Sequence, residues 1–153
     1  MQESLEKASE ELKRADHLIY VSLKYTRTVD VIKSIIERLA NAYDFLTESL
    51  IKRKIDEGKI ESMPSSPLER ADEVMKLYGS ENFKKYIDLY LMLRKIMKAE
   101  SDRSKEFRRH VTMTAKLKDG TAITVDIDKI YEYNNMTKEF FNFVHSMGDA
   151  GND

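Results

Sequence analysis

Two residues of this sequence, Arg103 and His110, combine side-chain types and a spacing that suit chemistry on a phosphate, with six residues between them. A histidine can act as general acid or base at neutral pH, and an arginine can stabilise charge that develops on a phosphate. Such a pair could cleave RNA without a metal ion, with the 2′-hydroxyl as nucleophile. The spacing is a signal of low specificity, because nine arginines and three histidines give many chance pairs. The alternative is that His110 is an ordinary residue at a strand edge or interface.

The pair lies in a basic segment. Residues 94–110 hold seven Lys or Arg against three Asp or Glu, a net charge of +4 in a chain whose net charge is −1. Cations attract phosphates and release counterions, so this segment predicts a nucleic-acid-binding surface. The candidate phosphate-binding residues are Arg94, Lys98, Lys105, Arg108 and Arg109.

Two alternatives for the basic segment remain open. Basic residues near the C-terminus of a helix complement its dipole and stay solvated. Arg108 and Arg109, close to Thr112 and Thr114, could bind a phosphate or could pair with glutamates of a neighbouring helix.

Several other kinds of site are excluded by composition and motifs. The chain has no Cys, which excludes disulfides, thiolate zinc sites, iron–sulfur clusters and thiol nucleophiles. Phosphate-binding loops, dinucleotide-binding glycine motifs, HExxH, GxSxG and EF-hand loops are absent from the sequence. The three histidines, at positions 17, 110 and 145, fall in three different predicted elements. We therefore predict neither a metal site nor a cofactor.

The composition predicts one mainly helical domain over residues 1–148. Of the 153 residues, 35% are charged, and only five are Gly and two Pro. Apolar residues at helical spacing predict five or six helices, the number depending on a break near Thr28. The expected helices are one from about Leu5 to Ile19, one from Thr28 to Ile55, one from Ser66 to Gly79, one from Ser80 to Met97, and one capped by Asp128 and ending at Gly148. Residues 149–153 are expected to form a disordered tail.

A β-hairpin is predicted over residues 110–127, just before the last helix. Apolar and polar residues alternate on both sides of a three-residue loop, 118–120, in which Gly120 takes a left-handed conformation. This loop pairs Ala115 with Ile123, Met113 with Val125, and Val111 with Ile127, so that one face is apolar. The face must pack on the helices or pair with a second copy, which would make a dimer.

Aromatic residues recur between positions 78 and 90, at Tyr78, Phe83, Tyr86 and Tyr90. They could form a platform on which nucleic-acid bases stack. Their helical spacing favours a place in the core. No stretch approaches the roughly 18–20 apolar residues that cross a bilayer, and the acidic N-terminus lacks an apolar signal region. We therefore expect a cytoplasmic protein without membrane contact.

An all-helical core with a long helix, a basic Arg-x4–6-His segment late in the chain and a further helix resembles the HEPN superfamily of helical domains. Two segments, Ala15–Val21 and Glu106–Thr114, are similar to those of a set of small, mostly uncharacterised archaeal proteins. The similarity covers about Ala15 to Phe143.

The resemblance implies that Arg103 and His110 are the catalytic residues of a metal-independent endoribonuclease. It also implies that RNA is the ligand, that two protomers contribute to one cleft, and that a small nucleotidyltransferase is a partner. The sequence departs from the family at Ser104, where Asn, Asp or His often follows the arginine, and at His110, which opens a predicted strand. Non-catalytic relatives serve as binding or assembly modules. The alternative is therefore a dimeric interaction module whose interface is the hairpin or a helix.

Overall fold

The computed structural model describes residues 2–79 and 81–151. Its helices are α1 (Gln2–His17), α2 (Leu23–Tyr25), α3 (Val29–Asp56), α4 (Pro67–Tyr78), α5 (Glu81–Lys98) and α6 (Ile127–Gly151), and its strands are β1 (Glu100–Ser104), β2 (Thr112–Lys116) and β3 (Ala122–Val125). A π-helical turn over Leu18–Ser22 joins α1 to α2, so these three pieces form one rod. The described chain thus has five helical rods and one small sheet, which confirms the predicted fold class. None of the helices in 2–79 and 81–151 has the length and apolar character needed to cross a membrane.

The first rod ends where the sequence predicts a break. The chain leaves the helix after Tyr25, and Thr28, in an extended conformation, starts α3. The Thr28 hydroxyl accepts a hydrogen bond from the Val31 N–H at 3.3 Å, which satisfies a free donor of the first turn. The two helices are therefore separate, and residues 26–28 form a short corner between them.

Helix α3 is the centre of the molecule. Its apolar residues from Val29 to Ile51, except the half-buried Val31 and Phe45, are buried in one core that also takes side chains from the other helices and from the sheet. Glu11 of α1, almost fully buried, accepts hydrogen bonds from Arg14 and from Arg38 of α3, which fixes α1 against α3. Asp16 joins the end of α1 to α6 through Lys138 at 2.7 Å and Asn134 at 3.0 Å.

The start of α4 has the predicted cap with one difference. The Ser66 hydroxyl accepts a hydrogen bond from the Glu69 N–H at 3.1 Å, Pro67 is the first helical residue, and Gly79 ends the helix with a φ of 56°. The Glu69 carboxylate, however, accepts from the Ser65 hydroxyl at 3.2 Å instead of closing back on Ser66. The predicted cap of α5, Ser80, lies outside the described residues.

The aromatic residues of α5 belong to the core. Phe83, Tyr86 and Tyr90 are buried, and the Tyr86 ring stacks on Phe140 of α6 with centroids 4.7 Å apart. Tyr43 of α3 stacks between Tyr90 and Phe140. The alternative in which this series is a base-stacking platform is therefore wrong, because the rings face other helices.

The hairpin forms with the predicted register. Met113 pairs with Val125 and Ala115 with Ile123, Gly120 has a φ of 89°, and Leu117 and Thr121 close the three-residue loop. The third predicted pair, Val111 with Ile127, lies beyond the strands, because β2 begins at Thr112 and β3 ends at Val125.

A third strand was not predicted. Strand β1 pairs antiparallel with β2, and Arg103 stands opposite Met113. Its five residues, Glu100–Ser104, are all polar, so no alternating apolar pattern marks them as a strand. The strand forms because the edge of β2 offers free backbone hydrogen-bonding groups.

The apolar face of the hairpin is covered within one chain. Met113, Ala115 and Val125 are at most 1% exposed, and β2 and β3 contact α3 and α6. With the face packed on helices, the hairpin needs no second copy to bury it.

The last helix begins and ends at different residues from those predicted. Asp126, not Asp128, caps it: its Oδ1 accepts a hydrogen bond from the Lys129 N–H at 2.9 Å, and the helix starts at Ile127. The physical reason is that β3 ends at Val125, so the next residue is the first free to cap. At the other end α6 passes Gly148 and reaches Gly151. The final two residues of the predicted disordered tail, 149–153, lie outside the described residues.

We expect Asp126→Ala to lower the free energy of unfolding by about 1 kcal/mol, because an N-cap hydrogen bond is lost. Asp128 is the second residue of the helix. Asp128→Ala removes only a favourable charge near the positive end of the helix dipole, so it should lower the free energy of unfolding by less. Urea unfolding of both variants at neutral pH measures the difference. An equal or larger loss of unfolding free energy in Asp128→Ala would show that Asp128 is the N-cap.

Candidate nucleic-acid interface

The loop between β1 and β2, residues 105–110, carries most of the predicted site. Five of its six residues are exposed: Lys105, Phe107, Arg108, Arg109 and His110. Lys105 and Phe107 have positive φ values of 55° and 63°, a conformation that non-glycine residues rarely take. Such strained residues persist only where the surrounding structure holds them, and they cluster at functional sites.

Two sets of contacts hold this loop. The Phe107 N–H donates to the Arg27 carbonyl at 2.6 Å, which ties the loop to the corner between α2 and α3. After the loop, the Val111 N–H donates to the Arg108 carbonyl at 3.1 Å, and the Val111 side chain is fully buried. The backbone is thus anchored while the Phe107 ring is 75% exposed.

Arg103 is engaged in ion pairs at the base of the loop. One guanidinium nitrogen donates to Asp30 at the start of α3 at 2.8 Å, and the other donates to Glu106 at 3.0 Å. These hydrogen bonds raise the pKa of Arg103, and the same contact lowers the pKa of Asp30 below its ordinary value. Arg103 thereby links β1, the loop and helix α3.

The other predicted cations divide into paired and unpaired ones. Arg94 binds Asp44 at 3.1 Å and lies beside the Tyr90 ring, so it belongs to the α3–α5 interface. Lys98 lies away from the loop, in a pocket with Lys95, Lys116 and Lys118. Within the described part of the chain, no carboxylate pairs with Lys98, Lys105, Arg108 or Arg109. The alternative in which Arg108 and Arg109 pair with a glutamate of a neighbouring helix is therefore wrong.

An open pocket of about 460 Å³ lies beside the loop, and we call it the Arg27 pocket. Its lining includes Arg109, His110 and Thr112 together with residues from the start of α6. Arg27 also lines the pocket, and its Nε is buried without a hydrogen-bond partner. Arg103 is not among the residues that line the pocket, so the structure brings His110 together with Arg27 and Arg109.

His110 itself lies in a turn before β2, not in the strand that the sequence predicts to begin there. Its carbonyl accepts a hydrogen bond from the Thr112 hydroxyl at 2.8 Å, and its side chain is exposed. An imidazole in this position can exchange protons with solvent and with a bound ligand, which suits an acid or base.

Exposed aromatic residues surround the same end of the molecule. Tyr20, in the π-helical turn, and Tyr131 of α6 are 51% and 38% exposed, with ring centroids 5.9 Å apart. Tyr131 also lines the Arg27 pocket, and Tyr25 is exposed at the end of the first rod. Exposed rings beside unpaired cations can stack on the bases of a single strand while the cations bind its phosphates.

Sequence reasoning missed Arg27, Tyr20, Tyr131 and the role of Phe107. One signal was available for two of them. Tyr20 falls off the apolar stripe that runs from Leu5 to Ile19, and Tyr131 falls off the stripe that contains Ile130 and Tyr133. An aromatic residue off the buried stripe of a helix is exposed, so the pattern marks it as a candidate contact.

Searches of protein-family models, curated proteins and solved structures found no match for this chain. Among the residues in 2–79 and 81–151, no group of three or more His, Asp or Glu side chains is placed to hold a metal ion.

The pairing of Arg103 with Asp30 gives a measurable titration. We expect the Asp30 pKa to lie below its ordinary value of 3.8 and to return towards it in Arg103→Gln. Since the folded-state pKa is lowered, the pair stabilises the fold above the ordinary carboxyl pKa and loses this effect as the pH falls through the lowered value. NMR titration of the Asp30 carboxyl measures the shift.

Glu106→Gln is the matched control for this titration, because it removes the other partner of Arg103 and leaves the Asp30 contact in place. The Asp30 pKa should stay low in that variant. An unchanged Asp30 pKa in Arg103→Gln would show that another group lowers it.

Proposed function

We propose that this protein binds RNA through the surface formed by the 105–110 loop and the Arg27 pocket. The observation that carries the proposal is that Lys105, Arg108 and Arg109 have no carboxylate partner in the described chain, although the loop that bears them is firmly anchored. Charges that serve only solubility do not need a strained, fixed backbone. Exposed cations on an anchored backbone, beside an exposed ring, form a surface that suits a phosphate backbone.

The arrangement favours a strand whose bases are accessible. The Phe107 ring projects from the loop, and Tyr20 and Tyr131 lie at the same end of the molecule. Each aromatic ring that stacks on an unpaired base contributes about 1–3 kcal/mol of binding free energy. A duplex hides its bases, so it would use only the cations.

Cleavage of the bound RNA is the further step that the resemblance to HEPN domains implies, with Arg103 and His110 as catalytic residues. His110 is exposed beside two guanidinium groups in the Arg27 pocket, and this setting supports a role in proton transfer. Arg103 is held by Asp30 and Glu106, so its charge is already neutralised in this state. Arg27 and Arg109 are better placed to stabilise negative charge next to His110.

The first test is the salt dependence of RNA binding. We expect affinity for a single-stranded RNA to fall steeply with salt, and Arg108→Ala with Arg109→Ala to reduce the log–log slope by about 1.4, or about 0.7 per lost phosphate contact. Fluorescence anisotropy at several salt concentrations measures the slope.

The matched control is Lys13→Ala with Lys59→Ala, which removes two exposed lysines outside this surface. Lys59 follows the far end of α3, about 40 Å from Arg27. The control should keep the wild-type slope. Binding that does not depend on salt, or an equal loss in both double variants, would contradict the proposed surface.

The second test is cleavage of a labelled RNA pool in EDTA. If His110 acts as acid or base, His110→Ala should slow cleavage by at least about 100-fold, while His17→Ala, another exposed histidine, should not. Arg103→Ala and Arg27→Ala then show which arginine supports the step. RNA that binds but is not cut by the wild-type protein would leave a binding module without nuclease activity.

The non-catalytic dimeric module, the nucleotidyltransferase partner and the cytoplasmic location stay predictions. For the dimer, the hairpin is the less suitable interface, because its apolar face already packs on α3 and α6. A dimer interface along a helix stays compatible with the fold.

A further inference from the structure

We propose that the Arg27 pocket holds one ribonucleotide unit of the RNA and distinguishes it from a deoxyribonucleotide through the Asp128 carboxylate. This inference rests on the proposed function and adds to it the chemical feature that is recognised, the ribose 2′-hydroxyl. The observation behind it is that two arginines and an unpaired carboxylate, Asp128, line the same pocket.

The arginines of the pocket suit the phosphate. Arg27 and Arg109 both line the pocket, and neither has an ion-pair partner among the described residues. No hydrogen bond engages the Arg27 guanidinium among the described residues, so its terminal nitrogens can donate to a phosphate, whereas its Nε is buried. The Thr112 hydroxyl already donates to the His110 carbonyl, and its oxygen can still accept.

The carboxylates of the pocket come from the cap and first turn of α6. Asp126 is occupied in capping that helix, whereas Asp128 is exposed and has no partner in the described chain. A pocket made only for phosphates would not include a free carboxylate in its lining, because a carboxylate and a phosphate repel each other. A carboxylate is instead a strong acceptor for a hydroxyl group. The ribose supplies that hydroxyl, and the 2′-hydroxyl is what separates RNA from DNA at a given site.

The third part of the nucleotide, the base, has a partner at the rim. Tyr131 lines the pocket, and its ring lies close to that of Tyr20. The volume of about 460 Å³ falls within the range of roughly 300–1,000 Å³ that pockets for small ligands span. Phosphate, sugar and base therefore each meet a suitable group within one pocket.

The experiment compares three fluorescein-labelled oligonucleotides of one sequence: RNA, DNA and 2′-O-methyl RNA. Binding is measured by anisotropy at one salt concentration, with each oligonucleotide shown to be intact on a gel. We expect the wild-type protein to bind RNA about tenfold more tightly than the other two, since one charge-assisted hydrogen bond depends on the 2′-hydroxyl. In Asp128→Ala the three affinities should agree within about twofold, with DNA binding retained.

Glu10→Ala is the control, because it removes one exposed carboxylate from α1 and should leave the preference for RNA unchanged. Equal wild-type affinity for the three oligonucleotides would overturn the ribose-reading pocket and leave RNA binding intact. A preference that survives in folded Asp128→Ala would overturn the role of Asp128. No binding of any oligonucleotide would overturn the proposed function, and this inference with it.

Discussion

The burial of α3 is the constraint on which the rest of the structure depends. This helix has 28 residues and is about 42 Å long, and helices α1, α4, α5 and α6 as well as strand β2 all contact it. Polar contacts fix the order of these neighbours: Glu11 holds α1, and Asp44 accepts from both Tyr90 and Arg94 of α5. One face of α3 is buried from its first residue, Val29, onward, so the corner at Arg27 that precedes it adjoins the core.

The 105–110 loop is anchored at this corner by a backbone hydrogen bond. Two non-glycine residues with positive φ cost about 1–3 kcal/mol each, and the fold compensates through the hydrogen bond of Phe107 to Arg27 and the contacts of Arg103 with Asp30 and Glu106. The outcome is an anchored backbone whose side chains stay in solvent. A surface fixed before its ligand arrives loses less conformational entropy on binding than a flexible basic tail does. This difference separates the loop from an ordinary solvated charge cluster.

Much of the fold could be predicted because its information is local. Thr28, Ser66, Gly79 and Gly120 act on their own turns, and the alternation around Met113 sets the hairpin register. Strand β1 could not be predicted in this way, since its polar residues become a strand only when the edge of β2 is present. Asp126 and Asp128 show the same limit on a small scale. Both are aspartates and so both suit an N-cap, and which of them caps the helix depends on where β3 ends.

Some residues of the candidate site could likewise be identified from the sequence, whereas others join it only through the fold. Charge alone identified Lys105, Arg108 and Arg109, because they are consecutive or nearly so in the sequence. Arg27 and Tyr131 join them only through packing of α2, the loop and α6, with more than one hundred residues between the two. Charge counting also treated Arg94 and Arg103 like the others, although each has a carboxylate partner that comes from α3.

That distinction changes how Arg103 should be understood. The resemblance assigns it to catalysis, yet its guanidinium is shared between Asp30 and Glu106, and it stands outside the pocket that contains His110. A guanidinium paired with two carboxylates has less positive potential left for a phosphate than one without an ion-pair partner. By this reasoning Arg103 positions the loop, and the charge available to a phosphate beside His110 is that of Arg27 and Arg109. A ribonuclease built on this frame would therefore take its stabilising arginine from the corner before α3, and the arginine that the sequence motif selects would hold that corner and the loop together.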